Sequence, residues 1–149
     1  MPLAVPLAER RPSPSPCLPA AAQTLPALPQ VACAVSRGSI DAVLPTRYAG
    51  TRKLRLNFEL VGPADAPVVL VAGGISAHRH VAANAHNTDA GWAQGLLDAG
   101  RTLDPSALRV LAFDYVGADG SIDAPIDTTD QADAVALLLD ALGIDVLAG

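Results

Sequence analysis

Aromatic residues make up only 3% of this 149-residue sequence, while half of it is apolar, so any core has to be built from Ala, Val and Leu. That composition suits layered α/β packing. Cysteine is almost as scarce. Cys17 and Cys33 are the only two, and no Cys-x-x-Cys spacing exists, which speaks against a disulfide framework or a thiolate metal or redox site. No apolar run approaches the ~18 residues that a spanning helix needs. The N-terminus places Arg10-Arg11 after its first apolar residues and interleaves prolines, the wrong order for a secretory signal, so a cytoplasmic protein with no membrane partner is expected. There is no basic face with interleaved aromatics, which argues against nucleic acid as a partner. Gly-x-Gly-x-x-Gly is also absent, excluding a dinucleotide fingerprint.

What is present divides by charge. The formal net charge is +4 through Leu60 and −9 from Val61 onward, adding to −5. The early part includes Arg11-Pro12-Ser13-Pro14-Ser15-Pro16, where repeated prolines remove backbone donors, and residues 1–35 are expected to form a disordered Pro/Ala-rich tail. Residues 36–149 are expected to be an α/β domain. Across the boundary, residues 31–53 read as transitional, with a short strand over 42–44. The alternation over 54–61 predicts a half-buried strand with its polar residues outward. The turn 62–67 then gives a hairpin-like entry into an apolar strand over 68–72, buried on both faces.

Farther along, Trp92 and Leu96 lie four apart before Gly100 and predict a helix over 91–99, with Trp92 anchoring it on the sheet. Residues 109–114 predict a second buried strand, ending in Asp114. Thr128-Thr129-Asp130-Gln131 has capping-box spacing with Thr128 as the cap. Ala132, Val135, Leu138, Leu139 and Leu142 then recur at helical spacing up to Gly143. Residues 144–149 begin another apolar strand. Strands joined by helical crossovers predict a parallel or mixed sheet with helices on both faces.

The residues that carry chemistry cluster after the strand at 68–72, in Gly73-Gly74-Ile75-Ser76-Ala77-His78-Arg79-His80. A glycine pair there serves as a simple turn or as an oxyanion hole, in which backbone N–H groups face a developing negative oxygen. Ser76 is either a nucleophile in half of an elbow or a loop residue whose hydroxyl stabilises the turn. His78 and His80, with His86 and Asp89, have a metal-site flavour but lack partners on later strands, so no metal is expected. Asp114 reads as a carboxylate that caps or fixes the next loop.

This loop, followed by Gly91-Trp92, the segment 100–104, Gly117, Gly120-Ser121, Pro125 and the helix through Gly143, resembles the homoserine O-acyltransferases of the α/β-hydrolase superfamily over residues 54–149. The resemblance implies the N-terminal half of an α/β-hydrolase fold. It implies transfer of an acyl group from acetyl- or succinyl-coenzyme A to homoserine or serine, in methionine or cysteine biosynthesis, through a serine activated by His and Asp. No bound cofactor is implied, since the acyl-coenzyme A is a substrate. The full-length family members are expected to be homodimers acting on small molecules. By the same resemblance Ile75 supplies an oxyanion-hole N–H and Gly74 shapes the loop; apart from the resemblance, Arg79 and His80 read as polar loop residues that hydrogen-bond or face solvent, with a substrate-side role as the alternative. The family's Gly-x-Ser-x-Gly elbow follows the strand that begins near Asp145. No such elbow occurs in the 149 residues, so the chain reads as an inactive fragment with an aggregation-prone last strand. An esterase of the same fold, or a non-catalytic α/β module, are the alternatives.

Overall fold

A computed structural model describes residues 33–148. The disordered-tail expectation thus lies almost wholly outside the described residues. The elements are β1 (Val35–Thr46), β2 (Gly50–Val61), β3 (Val68–Val71), β4 (Arg109–Phe113) and α1 (Thr128–Leu142). The four strands form one mixed sheet in the order β1-β2-β4-β3.

β1 and β2 are a long antiparallel hairpin, paired from Val35↔Val61 to Thr46↔Gly50. The hairpin contains the short strand expected over 42–44 and extends it through most of the segment expected to be transitional. Its turn closes when the Thr46 hydroxyl donates to the Gly50 carbonyl at 2.7 Å and accepts the Ala49 N–H at 3.1 Å. β2 does not form a hairpin with β3. It pairs antiparallel with β4, while β3 pairs parallel with β4 on the far side. β3 is therefore only half-buried, and the strand buried through its middle is β4, with Val110 and Leu111 wholly inaccessible. The segment after α1 reaches β3 through a single bond, Ala148 N–H to the Val68 carbonyl at 2.7 Å.

The alternation in β2 sorts its residues between two layers. Leu54, Leu56, Phe58 and Leu60 pack with Leu44, Leu111, Ala134 and Leu138 beneath α1. On the opposite face Val61 packs with Val81, Ala82, Ala93, Leu97 and Val110. That second layer is not helical. Residues 91–99 form successive turns, with the Gln94 N–H on the Gly91 carbonyl and the Leu96 N–H on the Ala93 carbonyl. The buried pair there is Ala93 and Leu97, whereas Trp92 and Leu96 are exposed. The parallel crossover from β3 to β4 is thus irregular, and its close packing needs glycine, because a Cβ on Gly91 would overlap the Val81–Ala82 peptide.

α1 starts one residue earlier than the spacing indicated. The cap is Asp127, which accepts the Asp130 N–H at 2.9 Å, while Asp130 accepts the Asp127 N–H at 3.1 Å. Two acidic residues thus form the capping box and favour the positive helix end. Gly143 closes the helix in the left-handed conformation, φ 65°.

Candidate active site

β3 and β4 run parallel, so their carboxyl ends open onto the same edge, where ligands bind in open α/β sheets. β2 overhangs that edge. Its pairing with β4 stops at Phe58↔Phe113, and the Asp114 N–H closes the junction on the Asn57 carbonyl at 3.0 Å. Between this overhang, the loop after β3 and the loop after β4 lies a cleft of about 370 Å³, lined among others by Leu56, Asn57, Ile75, Ser76, Tyr115 and Ile122.

The loop after β3 is held at both ends. The Tyr115 hydroxyl donates to the Gly73 carbonyl at 2.7 Å. At the other end Asp114 accepts the Arg79 backbone N–H at 2.8 Å and its guanidinium at 2.6 Å. Between the anchors the Ala77 N–H donates to the Gly74 carbonyl at 2.8 Å, a four-residue turn with Ile75 and Ser76 at its corner. Ile75 is 81% exposed, and its N–H makes no hydrogen bond to another described residue. Gly73 is the sterically constrained glycine: a Cβ there would come within 2.5 Å of Ala77 Cβ and 3.2 Å of the Trp92 ring. Gly74 has no such neighbour and no left-handed backbone. Trp92 belongs to this loop, donating its indole N–H to the His78 carbonyl at 2.7 Å.

The remaining polar residues sort by their contacts. Ser76 makes no hydrogen bond within the described residues, so its hydroxyl does not brace the turn as expected. Asp114 fixes the loop after β3 rather than the next loop in the chain. Arg79 is half-buried in that ion pair, and its backbone and guanidinium serve the loop geometry. His80 is buried, with Nε2 2.8 Å from the Asp89 carbonyl and Nδ1 3.5 Å from Glu59 Oε1. His78 is exposed and its Nδ1 accepts the His80 N–H at 3.2 Å. Among the described residues no three His, Cys, Asp or Glu side chains gather in a metal-binding group. On the cleft rim the Ser121 hydroxyl, and then its backbone N–H, hold the Asp119 carboxyl below the usual carboxylate range. Burial pushes the Cys33 thiol up. No helix of the described residues is long and apolar enough to cross a membrane.

Sequence reasoning missed a polar group beneath the loop. Glu59 was expected on an outward face, yet it is wholly buried. Arg37 Nε lies 2.7 Å from Glu59 Oε2, and the Asn84 amide donates to Oε1 at 3.1 Å. Asn84 in turn accepts the His86 and Asn87 N–H groups at 3.0 and 3.2 Å, so a buried carboxylate organises the segment that carries His80. Its one sequence signal is the register that sets Arg37 directly opposite Glu59, visible only once β1 is recognised.

The mixed sheet, its carboxyl-edge cleft and the exposed N–H turn after β3 define part of an α/β-hydrolase fold. Solved structures that share it include homoserine O-acetyltransferase from Staphylococcus aureus, at TM-score 0.66 and 20% identity over 76% of this chain and 37% of that one, and esterase E22, at TM-score 0.61 and 19% identity over 76% and 39%. No protein-family model matches the chain. By sequence the chain is similar to a homoserine O-acyltransferase: over 113 residues, 76% of its length, it is 65% identical to the homoserine O-succinyltransferase of Xanthomonas campestris pv. campestris. It spans 31% of that relative's length.

Proposed function

We propose that this chain supplies the oxyanion side of an O-acyltransferase that moves a succinyl group from succinyl-coenzyme A to the hydroxyl of homoserine. The observation that carries the reading is the 65% identity to a protein of that name, together with the Ile75 N–H standing unengaged at the cleft. In the proposed reaction a serine Oγ, deprotonated by a histidine, attacks the thioester carbonyl. The carbonyl oxygen becomes an oxyanion facing the Ile75 N–H, a contact of the kind worth ~3 kcal/mol per donor. The C–S bond breaks, coenzyme A leaves with the proton, and the acyl-serine remains. The homoserine hydroxyl then attacks that ester, giving its proton to the histidine and restoring the serine.

The serine, its acid and its base are not found in the elbow arrangement anywhere in these 149 residues, so in this reading they come from the part of the relatives' length that the chain does not span. A homodimer in the cytoplasm acting on small molecules accords with the reading. The esterase neighbour supports a second one, ester hydrolysis at the same cleft. Reading the frame beyond Gly149 and expressing the extended product separates them. Homoserine-dependent release of coenzyme A from succinyl-coenzyme A supports transfer, and release indifferent to homoserine supports hydrolysis.

A further inference from the structure

We propose that Tyr115 and Asp114 are positioning residues that set the aim of the Ile75 N–H, a role that rests on the oxyanion reading above. An oxyanion donor acts only when it lies about 2.7–3.1 Å from where the negative oxygen forms, and such groups must be held to about half an ångström by their supporting shell. The turn that carries Ile75 cannot hold itself so closely, because its corner is exposed and its one internal bond is that from Ala77 to Gly74.

Its rigidity is borrowed from the end of β4. Two consecutive residues there grip the loop at positions six apart, Tyr115 at the Gly73 carbonyl and Asp114 at Arg79. The grips are themselves fixed. The Tyr115 ring meets Phe113 edge-on at 5.2 Å. The next residue, Val116, is held in both directions by one side chain, its N–H on Gln131 Oε1 at 2.9 Å and its carbonyl accepting from Gln131 Nε2 at 3.0 Å. α1 thereby fixes the β4 end, and the β4 end fixes the loop. The Tyr115 bond has a second consequence. A carbonyl engaged by a hydroxyl is kept from turning, so the Gly73-Gly74 peptide cannot flip, and the Gly74-Ile75 peptide that follows, whose own carbonyl accepts the Ala77 N–H, is anchored from its N-terminal side.

Tyr115→Phe removes one hydroxyl and keeps the ring contact, so it isolates the grip from the packing. In the 149-residue chain, hydrogen exchange of the peptide covering 73–79 is expected to accelerate at least fivefold in Tyr115→Phe, with β1 and β2 unchanged. In the extended product, Tyr115→Phe is expected to lower kcat about tenfold or more, within the ~10²–10³ cost of losing an oxyanion donor outright, while KM for the acyl donor stays within twofold. Asp114→Asn, which keeps the shape and loses the charge, is expected to do the same at the Arg79 end. A wild-type extended product with no homoserine-dependent transfer would sink the transferase reading alone, because kcat is then taken on the ester it hydrolyses and the exchange arm needs no turnover. Exchange unaltered in the loop, or a Tyr115→Phe kcat equal to wild type, overturns the proposal.

Discussion

Arg37 and Glu59 face each other across the β1–β2 hairpin at 2.7 Å, with the carboxylate wholly buried and the guanidinium side chain 30% exposed. Removing one partner of such a pair leaves a charge without compensation inside the protein, which typically costs about 3–5 kcal/mol. Arg37→Met is therefore expected to lower stability by about that amount in urea unfolding followed by far-UV circular dichroism. A loss below about 1 kcal/mol would show that the carboxylate finds other compensation.

The two glycines of the loop are expected to behave differently. A methyl group at Gly73 must displace Ala77 or the Trp92 ring, a cost of about 1–3 kcal/mol for overpacking. At Gly74 the space is open and the backbone is not left-handed, so Ala there should be neutral or stabilise by up to about 1 kcal/mol through the unfolded state. Thermal unfolding of Gly73→Ala and Gly74→Ala checks the contrast, and equal effects would contradict the loop geometry.

How far the sequence carried depends on which faces the pattern could report. The apolar run of β4 and the helical spacing of α1 were legible because each buries a continuous apolar surface. Of β1 only the stretch over 42–44 was legible, because its inward positions also include Gly38 and Thr46, which give alternation without apolar content. The segment 91–99 misled because Ala93 and Leu97 have the same four-residue spacing as Trp92 and Leu96, and only the first pair is buried. Local spacing cannot tell a buried turn from a helix turn. β3 looked doubly buried because its neighbours were assigned by sequence order, whereas β4 inserts between it and β2. At the site, the loop itself was legible from Gly73 to His80, but the residues that hold it were not. Tyr115 and Gln131 carry no motif and acquire meaning only from long-range contacts.

The start of α1 offers a separate test. Asp127→Ala removes the oxygen that accepts the Asp130 N–H and should cost about 0.5–2 kcal/mol. Thr128→Ala, one residue inside, should cost no more than a few tenths. Chemical denaturation of the two variants distinguishes the caps, and the reverse order would restore the register suggested by spacing alone.

Asp119 on the cleft rim titrates below the ordinary carboxylate range because the Ser121 hydroxyl and N–H favour its charged form. A depressed folded value means that the contribution to stability is fully present above the unfolded carboxylate value and disappears as pH falls through the lower folded one. Carbon-detected NMR titration of Asp119 should give a midpoint below that of a model peptide, moving back toward it in Ser121→Ala. A Ser121→Ala midpoint equal to wild type would remove the hydroxyl as the cause.

The most direct test of the oxyanion role is to delete the Ile75 N–H without touching its side chain, by replacing the residue with its α-hydroxy acid in the extended product and measuring steady-state acyl transfer. The backbone ester is expected to lower kcat about 10²–10³-fold with KM for the acyl donor nearly unchanged, while Ile75→Ala, at a side chain 81% exposed, stays close to wild type. A backbone ester as active as the native amide would contradict the account.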